Sequence, residues 1–317
     1  MSSARQGSCS ATRNRTAAPV TGAAGLFGSA LVRVFRARHT VFPLTRADVE
    51  ITDRDQVRGA LVRLRPDLII HAAAIRDPDL AELDPAQAFL VNFHGTRHFV
   101  DGAKEVGARV AYISTDSVFD GKKQSPYLES DPAIPASVYG RTKLRAEALV
   151  RATPESWVFR VSILFGPEPE IDAGKARENF ISKGLRRIAA GEEYVVAADQ
   201  IGTATYAVDA AQKIMEVIES GRYGLYHLSN SGSCTRLELA RRAAELAGLD
   251  PGKVIGKSLA EMNRPGPRLK YAVMAMDALA RHGFALPRPW EDALAHYIST
   301  DLGLRAGKRA ETPAPLA

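Results

Sequence analysis

Thr115, Tyr139 and Lys143 are the residues of this chain whose types and spacing could act on a carbonyl group. Tyr139 and Lys143 stand four apart in a stretch rich in Ala, Leu, Arg and Glu, from Ser137 to Arg151. A helix there puts both on one face. An ammonium beside a phenol favours phenolate, so the pairing predicts a lowered Tyr139 pKa. Such a phenol is a general acid that can hand a proton to a carbonyl oxygen near neutral pH. The same spacing also occurs on plain surface helices, so the surrounding elements have to carry the reading.

Those elements form an alternating series. Val110 to Ile113 is a short apolar run, read as a buried parallel strand that delivers Ser114, Thr115 and Asp116. Open parallel sheets place their chemistry at the carboxyl ends of strands. Asp131-Pro132 and Ile134-Pro135 then break the chain before the Tyr/Lys helix. Upstream, a strand at Ala17 to Val20 runs into Thr21-Gly22-Ala23-Ala24-Gly25-Leu26-Phe27-Gly28 and a helix to about Arg38. Glycines at intervals of three let the backbone turn sharply and approach a pyrophosphate at the helix N-terminus. Pro19 counts against a central strand, because it removes a ladder donor.

A second strand, Thr40 to Leu44, ends at Thr45-Arg46. Sites for NAD(H) usually offer an acid near this point. Arg46 instead suits the 2′-phosphate of NADP(H), the alternative being a solvent-facing Arg. Asp53 to Arg65 reads as a helix, Leu68 to Ile70 as a third strand leading to His71 and Ala72, Ala73 and Ala74. One helix is expected from Pro85 to Val106, carrying Asn92. Alternation from residue 17 to 151 predicts an α/β fold with a doubly wound parallel sheet.

The 317 residues, 45% apolar and 25% charged, can bury one large or two medium cores. The formal charge of +6 is carried by dispersed basic residues without interleaved aromatics. Nucleic acid is therefore not an expected partner. No apolar run approaches membrane-spanning length, and no membrane partner is expected. Cys9 and Cys234 alone make no disulfide framework, which fits a reducing cytoplasm. The His residues are scattered without ligand spacing, so no metal site is expected. Residues 1–15 contain no acid and are rich in Ser, Arg and Ala. They are read as a disordered leader, with a transit peptide as the alternative.

Taken together, the motifs resemble an extended short-chain dehydrogenase/reductase, and more narrowly the dTDP-4-dehydrorhamnose reductase family. That family includes the regulatory beta subunit of methionine adenosyltransferase. The matching pieces are the glycine turn, Arg65 to Ala74, Ile113 to Gly121, Tyr139-Gly140-Arg141-Thr142-Lys143 and Phe159-Arg160-Val161-Ser162. They continue with Asn179-Phe180, Asp199 to Thr205 and Gly224 to Leu228, in the family's order across roughly residues 17 to 300.

The resemblance implies a Rossmann-type sheet with a smaller C-terminal substrate-binding α/β domain. Residues 16–165, completed by about 200–230, would form the dinucleotide-binding part; 166–199 and 231–304 would form the substrate part, and 305–317 a disordered tail. It also implies roles. Thr115 would hydrogen-bond a substrate carbonyl, Tyr139 would protonate it, and Lys143 would hold the nicotinamide ribose. Gly22, Gly25, Leu26, Phe27 and Gly28 would face the pyrophosphate. Glu50 and Ile51 would flank the adenosine, and Ala72 to Ala74 would pack on the cofactor. Asp116, Ile163 and Asn179 would lie toward the substrate, Asn179 being equally readable as a cap. The implied reaction is reduction of C4 in a nucleotide-linked 4-keto-6-deoxy sugar, with Mg²⁺ used by some relatives but given no ligands by this sequence. A homodimer is compatible with the resemblance.

Departures from the family pattern lie toward the sugar. Ser117 replaces an aromatic, Ile163 a Trp and His71 a common Asn, and the segment from Asn263 to Leu269 keeps Arg264-Pro265 but lacks the usual Asn-Ser. These leave two rivals, a non-catalytic NADP-binding regulatory subunit and a 4-epimerase. A dehydratase is disfavoured, since Ser117 cannot serve as the acid that follows Asp116 in such enzymes. Further along, helices are expected over Ala176 to Gly191, Tyr206 to Glu219, Arg236 to Ala247 and Glu291 to about Thr300, with Thr235 and Glu238 forming a capping box.

Overall fold

The computed structural model describes residues 15–169 and 178–304. The leader and tail, and most of the polar loop 168–175, lie outside the described residues, as do the first two residues of the helix expected from Ala176.

The first half runs β1 (Ala17–Thr21), α1 (Leu26–Phe35), β2 (Thr40–Leu44), α2 (Arg54–Leu64) and β3 (Leu68–His71). Two short helices follow, α3 (Pro78–Leu83) and α4 (Pro85–Phe89), then α5 (Gly95–Val106), β4 (Arg109–Thr115), α6 (Val138–Arg151) and β5 (Ser156–Val161). The second half holds β6 (Leu164–Phe165), α7 (Phe180–Ala189), β7 (Tyr194–Ala197), β8 (Ile201–Gly202), β9 (Thr205–Tyr206) and α8 (Ala207–Glu219). It ends with β10 (Gly224–Leu228), β11 (Cys234–Thr235), α9 (Arg236–Leu246), β12 (Val254–Lys257), β13 (Tyr271–Ala272), α10 (Asp277–Arg281) and α11 (Trp290–His296).

Six strands form one parallel sheet in the order β10-β5-β4-β3-β1-β2. Both faces are covered, as parallel strands require. On one face Ala18, Val20, Ile70 and Phe159 pack with α1 and α8 residues such as Leu31, Phe35 and Ile214. On the other, Ile69, Val110 and Tyr112 pack with Val57, Leu61 and Phe99 of α2 and α5 and Ala146 of α6. A separate core from α7, α9 and α11 gathers Ile181, Leu185, Leu239, Ala243 and Leu294.

Pro19 sits in a central strand all the same. The ladder from β1 to β2 registers all five residues, whereas that to β3 registers only Val20 with Ile70 and Thr21 with His71. The helix expected from Pro85 to Val106 is corrected: a π-helical turn, Leu90–His94, divides it, and Asn92 is in that turn. Its wider turn lets Asn92 face inward, where Oδ1 accepts from Ile75 N–H at 2.8 Å and Nδ2 donates to Thr142 Oγ1 at 3.0 Å. The last helix also ends in a π turn, Tyr297–Asp301. Thr235 and Glu238 form the expected capping box on α9. Among the described residues no helix is long and apolar enough to cross a membrane.

Candidate active site

The glycine turn fits a dinucleotide pyrophosphate. Gly22 has φ +67° and its N-terminal neighbour Thr21 ends β1. A Cβ on Gly28 would stand 2.0 Å from Gly22 O, and one on Gly22 2.9 Å from Ala73 N. Backbone therefore occupies the places where side chains would be. Gly25 is the N-cap of α1 in extended conformation, with no side chain capping the helix. The first amides, at Leu26 and Phe27, are thus open to an anion favoured by the helix dipole.

A buried network ties this turn to Ala72 and Ala73. Thr21 Oγ1 accepts from both their N–H groups at 3.1 Å and lies 2.8 Å from His71 Nδ1. Thr96 Oγ1 donates to Asn92 O at 2.7 Å, so its contact with His71 Nε2 at 3.1 Å must be one that it accepts. His71 therefore carries its proton on Nε2, and Nδ1 accepts from Thr21. Burial, with the Lys143 charge nearby, pushes the His71 pKa down to about 3 and keeps the ring neutral.

Arg46 follows β2, its guanidinium exposed and paired with Glu50 at 2.8 Å. The Glu50 carboxylate also accepts from Thr52 at 3.0 Å, so its side chain is engaged with Arg46 and Thr52. Ile51 is partly buried, packs against Gly95 and offers its carbonyl to His98 at 3.0 Å. Ala74 is partly buried on the stretch after β3.

Thr115, Tyr139 and Lys143 meet at the carboxyl end of β4. Ser137 caps α6 by accepting from Gly140 N–H at 3.0 Å, and a Cβ at Gly140 would stand 2.0 Å from Ser117 O. That close approach seats the helix against the segment after β4. Thr115 Oγ1 donates to Asp116 Oδ1 at 2.9 Å, and Ser162 Oγ donates to Asp116 Oδ2 at 2.5 Å. The Thr115 hydroxyl lies near enough to the Tyr139 phenol to pull its pKa down.

One electrostatic expectation is corrected. Burial, with the Asp116 charge, pushes the Tyr139 pKa up to about 12, against the pull of Thr115 and Arg76. The cation that Tyr139 feels is the exposed Arg76, not Lys143. Lys143 is 2% exposed; its Nζ donates to Ile113 O at 2.6 Å and lies 4.1 Å from the centre of the Tyr112 ring. Burial lowers its pKa to about 7 despite the Glu147 carboxylate. Glu147 itself is locked by Arg160 at 2.9 and 2.7 Å and by Ser114 at 2.5 Å, all three residues fully or nearly buried. Sequence reasoning missed this pair. Helical spacing puts Glu147 on the face of Tyr139 and Lys143, but nothing in the sequence relates it to Arg160 on β5; packing alone brings the two together.

Ile163 is buried beside Gly202. Asn179 caps α7: Oδ1 accepts from Ile181 and Ser182, and Nδ2 donates to Gly166 O and Tyr297 Oη at 2.9 Å each. Its amide is fully engaged within the protein. Among the described residues no group of three or more His, Cys, Asp or Glu is placed to hold a metal ion.

Residues 18–302 match the family model described as the RmlD substrate binding domain. The chain belongs to this family. It is 33% identical over 289 residues to a dTDP-4-dehydrorhamnose reductase of Mycolicibacterium smegmatis, covering 90% of this chain and 85% of the relative. To a dTDP-4-keto-6-deoxy-D-glucose reductase of Streptomyces niveus it is 35% identical over 278 residues, 87% of this chain and 94% of the other. The crystal structure of a Bacillus anthracis dTDP-4-dehydrorhamnose reductase in complex with NADP superposes with a TM-score of 0.84. That pair is 31% identical and covers 90% of this chain and 99% of the other. As a member of the RmlD family, the chain has the Rossmann-type fold that its strand order displays.

Proposed function

We propose that this protein is an NAD(P)H-dependent 4-ketoreductase of a dTDP-linked 4-keto-6-deoxy sugar. The observation that carries it is the convergence of Thr115, Tyr139 and Lys143 at the end of β4, on the sheet edge shared with the open glycine turn. The relatives' names supply the substrate class. The sequence-based division into a cofactor part (16–165 with 200–230) and a substrate part (166–199 with 231–304) is retained in this reading, and the reaction is placed in the cytoplasm.

When bound, the reduced nicotinamide supplies the hydride that adds to C4 of the sugar. Tyr139 supplies the proton to the carbonyl oxygen, so one C–H and one O–H bond form and the ketone becomes an alcohol. With its pKa near 12 the phenol holds that proton throughout the neutral range. Thr115 can turn its hydroxyl from Asp116 to the carbonyl oxygen, stabilising the charge that develops there. Lys143, already fixed between Ile113 O and the Tyr112 ring, orients the ribose without large loss of side-chain freedom. Gly22, Gly25, Leu26, Phe27 and Gly28 hold the pyrophosphate, while Ala72, Ala73 and Ala74 line the cofactor's flat ring. Glu50 and Ile51 flank the adenosine. Arg46 reaches the 2′-phosphate of NADP(H) by leaving Glu50, which favours NADP(H) over NAD(H). Asp116 and Ile163 lie toward the sugar.

The test is loss of reduced-nicotinamide absorbance with NADPH or NADH and a dTDP-4-keto-6-deoxyhexose generated in place. Tyr139→Phe is expected to lose about 10²–10⁴-fold in kcat with cofactor binding intact. Arg46→Ala is expected to narrow the preference for NADPH. Turnover unchanged by Tyr139→Phe would sink the mechanism, and binding of NADPH without any turnover would favour a regulatory subunit.

A further inference from the structure

Arg236 is the first residue of α9, directly after the cap Thr235. Its guanidinium lies 4.8 Å from the centre of the Phe180 ring, and Phe180 is the first residue of α7. The side chain is partly buried, and the charges that act on it are those of Asp116, Tyr194, Cys234 and Arg268, Asp116 being the neighbour of Thr115 in the candidate active site. Among the described residues no carboxylate lies within 4.0 Å of it and no acceptor takes a hydrogen bond from its guanidinium.

Other partly or fully buried arginines of the chain differ. Arg268 is held by Asp79 at 3.0 Å, Arg160 by Glu147 at 2.7 Å and Arg288 by Asp209 at 2.8 Å. An unpaired guanidinium withdrawn from water is costly. A cation in the first turn of a helix also opposes the helix dipole. An aromatic ring under the guanidinium offsets part of this and fixes its plane, leaving the donors of its edge without a partner among the described residues. The arrangement asks for an anion with more than one acceptor oxygen.

We propose that Arg236, seated on Phe180, binds the diphosphate that joins nucleoside to sugar, and so positions the sugar toward Thr115 and Tyr139. The inference rests on the nucleotide-sugar reading and deepens it. A planar fork of N–H donors suits phosphate oxygens, and the site lies across from Asp116, next to which the sugar must stand.

The experiment measures binding of dTDP and of thymidine by calorimetry, with NADPH affinity and melting temperature as controls. Arg236→Gln, which removes the charge but keeps a long polar stem, is compared with Arg236→Lys and the wild-type chain. Arg236→Gln is expected to weaken dTDP by about tenfold or more, the loss of a charge-assisted contact, and Arg236→Lys by less. Thymidine and NADPH affinities should not move, which a merely structural role would not explain. Equal dTDP affinity in Arg236→Gln and wild type would overturn the inference even if the ketoreductase assay succeeds. So would a wild-type chain that does not bind dTDP. If dTDP binding depends on Arg236 yet no 4-keto sugar is reduced, the diphosphate site stands and the ketoreductase reading fails.

Discussion

Tyr139 and Lys143 owe their protonation states mainly to burial. Tyr139 is pushed up to about 12, so reduction should show no basic limb from this phenol below about pH 10. Lys143 is pushed down to about 7, a depressed value for an amine. Its ammonium therefore predominates in the free protein below about pH 7 and gives way to the amine above. If the charged form orients the ribose, NADPH affinity should weaken as pH rises through that value, by up to about tenfold per unit. Fluorescence titration of NADPH between pH 5.5 and 9 would show it, roughly spanning that pKa. Lys143→Arg keeps its charge, so its affinity should lack the limb. A limb that persists there belongs to another group.

At the scale of elements, close backbone approach does much of the positioning. The glycine turn is shut tightly enough that a methyl at Gly28 would meet Gly22 O at 2.0 Å. Gly28→Ala should open the turn, costing about 2 kcal/mol of stability and at least about tenfold in NADPH affinity. Urea unfolding and an NADPH titration would check this, and wild-type affinity would mean that the pyrophosphate lies elsewhere. The π turn at Leu90–His94 acts in the same spirit. By widening one turn it aims Asn92 at Ile75 and Thr142, linking the stretch after β3 to the helix that bears Tyr139. Thr142 in turn donates to Tyr139 O at 2.7 Å.

Across the whole molecule, the loop around Gly266 is clasped over α3, a contact between the proposed cofactor and substrate halves. Asp79 takes Arg268 at 3.0 Å, Gly266 N–H at 2.9 Å and Arg264 at 3.5 Å. A Cβ on Gly266 would stand 2.6 Å from Pro78 O, so this loop lies directly on α3. Burial raises the Asp79 pKa, but Arg268, Gly266 and Arg264 outweigh it and leave it lowered. The folded value is depressed, so this stabilisation is present above about pH 4 and is lost as pH falls through the folded value. Asp79→Ala should cost about 1–2 kcal/mol near pH 7, and less in acid. Denaturant unfolding at pH 7 and pH 3 would compare them, both values roughly bracketing the carboxylate pKa. It should also raise KM for the sugar nucleotide more than for NADPH, and an equal rise in both would argue against a clasp between halves.

The sequence by itself determined the periodic and the short-range features of this protein. Alternation of apolar strands with capped helices is a local pattern, and Thr40–Leu44 and the capping box of Thr235 and Glu238 were read with their observed bounds. Spacing alone put Tyr139 and Lys143 on one face, and the motifs in order carried the family. What tertiary structure decided was every property that depends on neighbours distant in the chain. The sign of the Tyr139 shift was reversed because burial outweighs Thr115 and Arg76, while Lys143 turns its ammonium to Ile113 O. Pro19 is tolerated centrally because its ladder to β3 is short. Asn179 is committed to capping α7 and to Tyr297, 118 residues away. The pairing of Glu147 with Arg160 and the clasp of Asp79 with Arg268 likewise join β-strand, helix and loop residues that no local spacing relates. Hydrophobic periodicity fixes which face of an element is buried; only packing fixes which charges meet there and how strongly water is excluded from them.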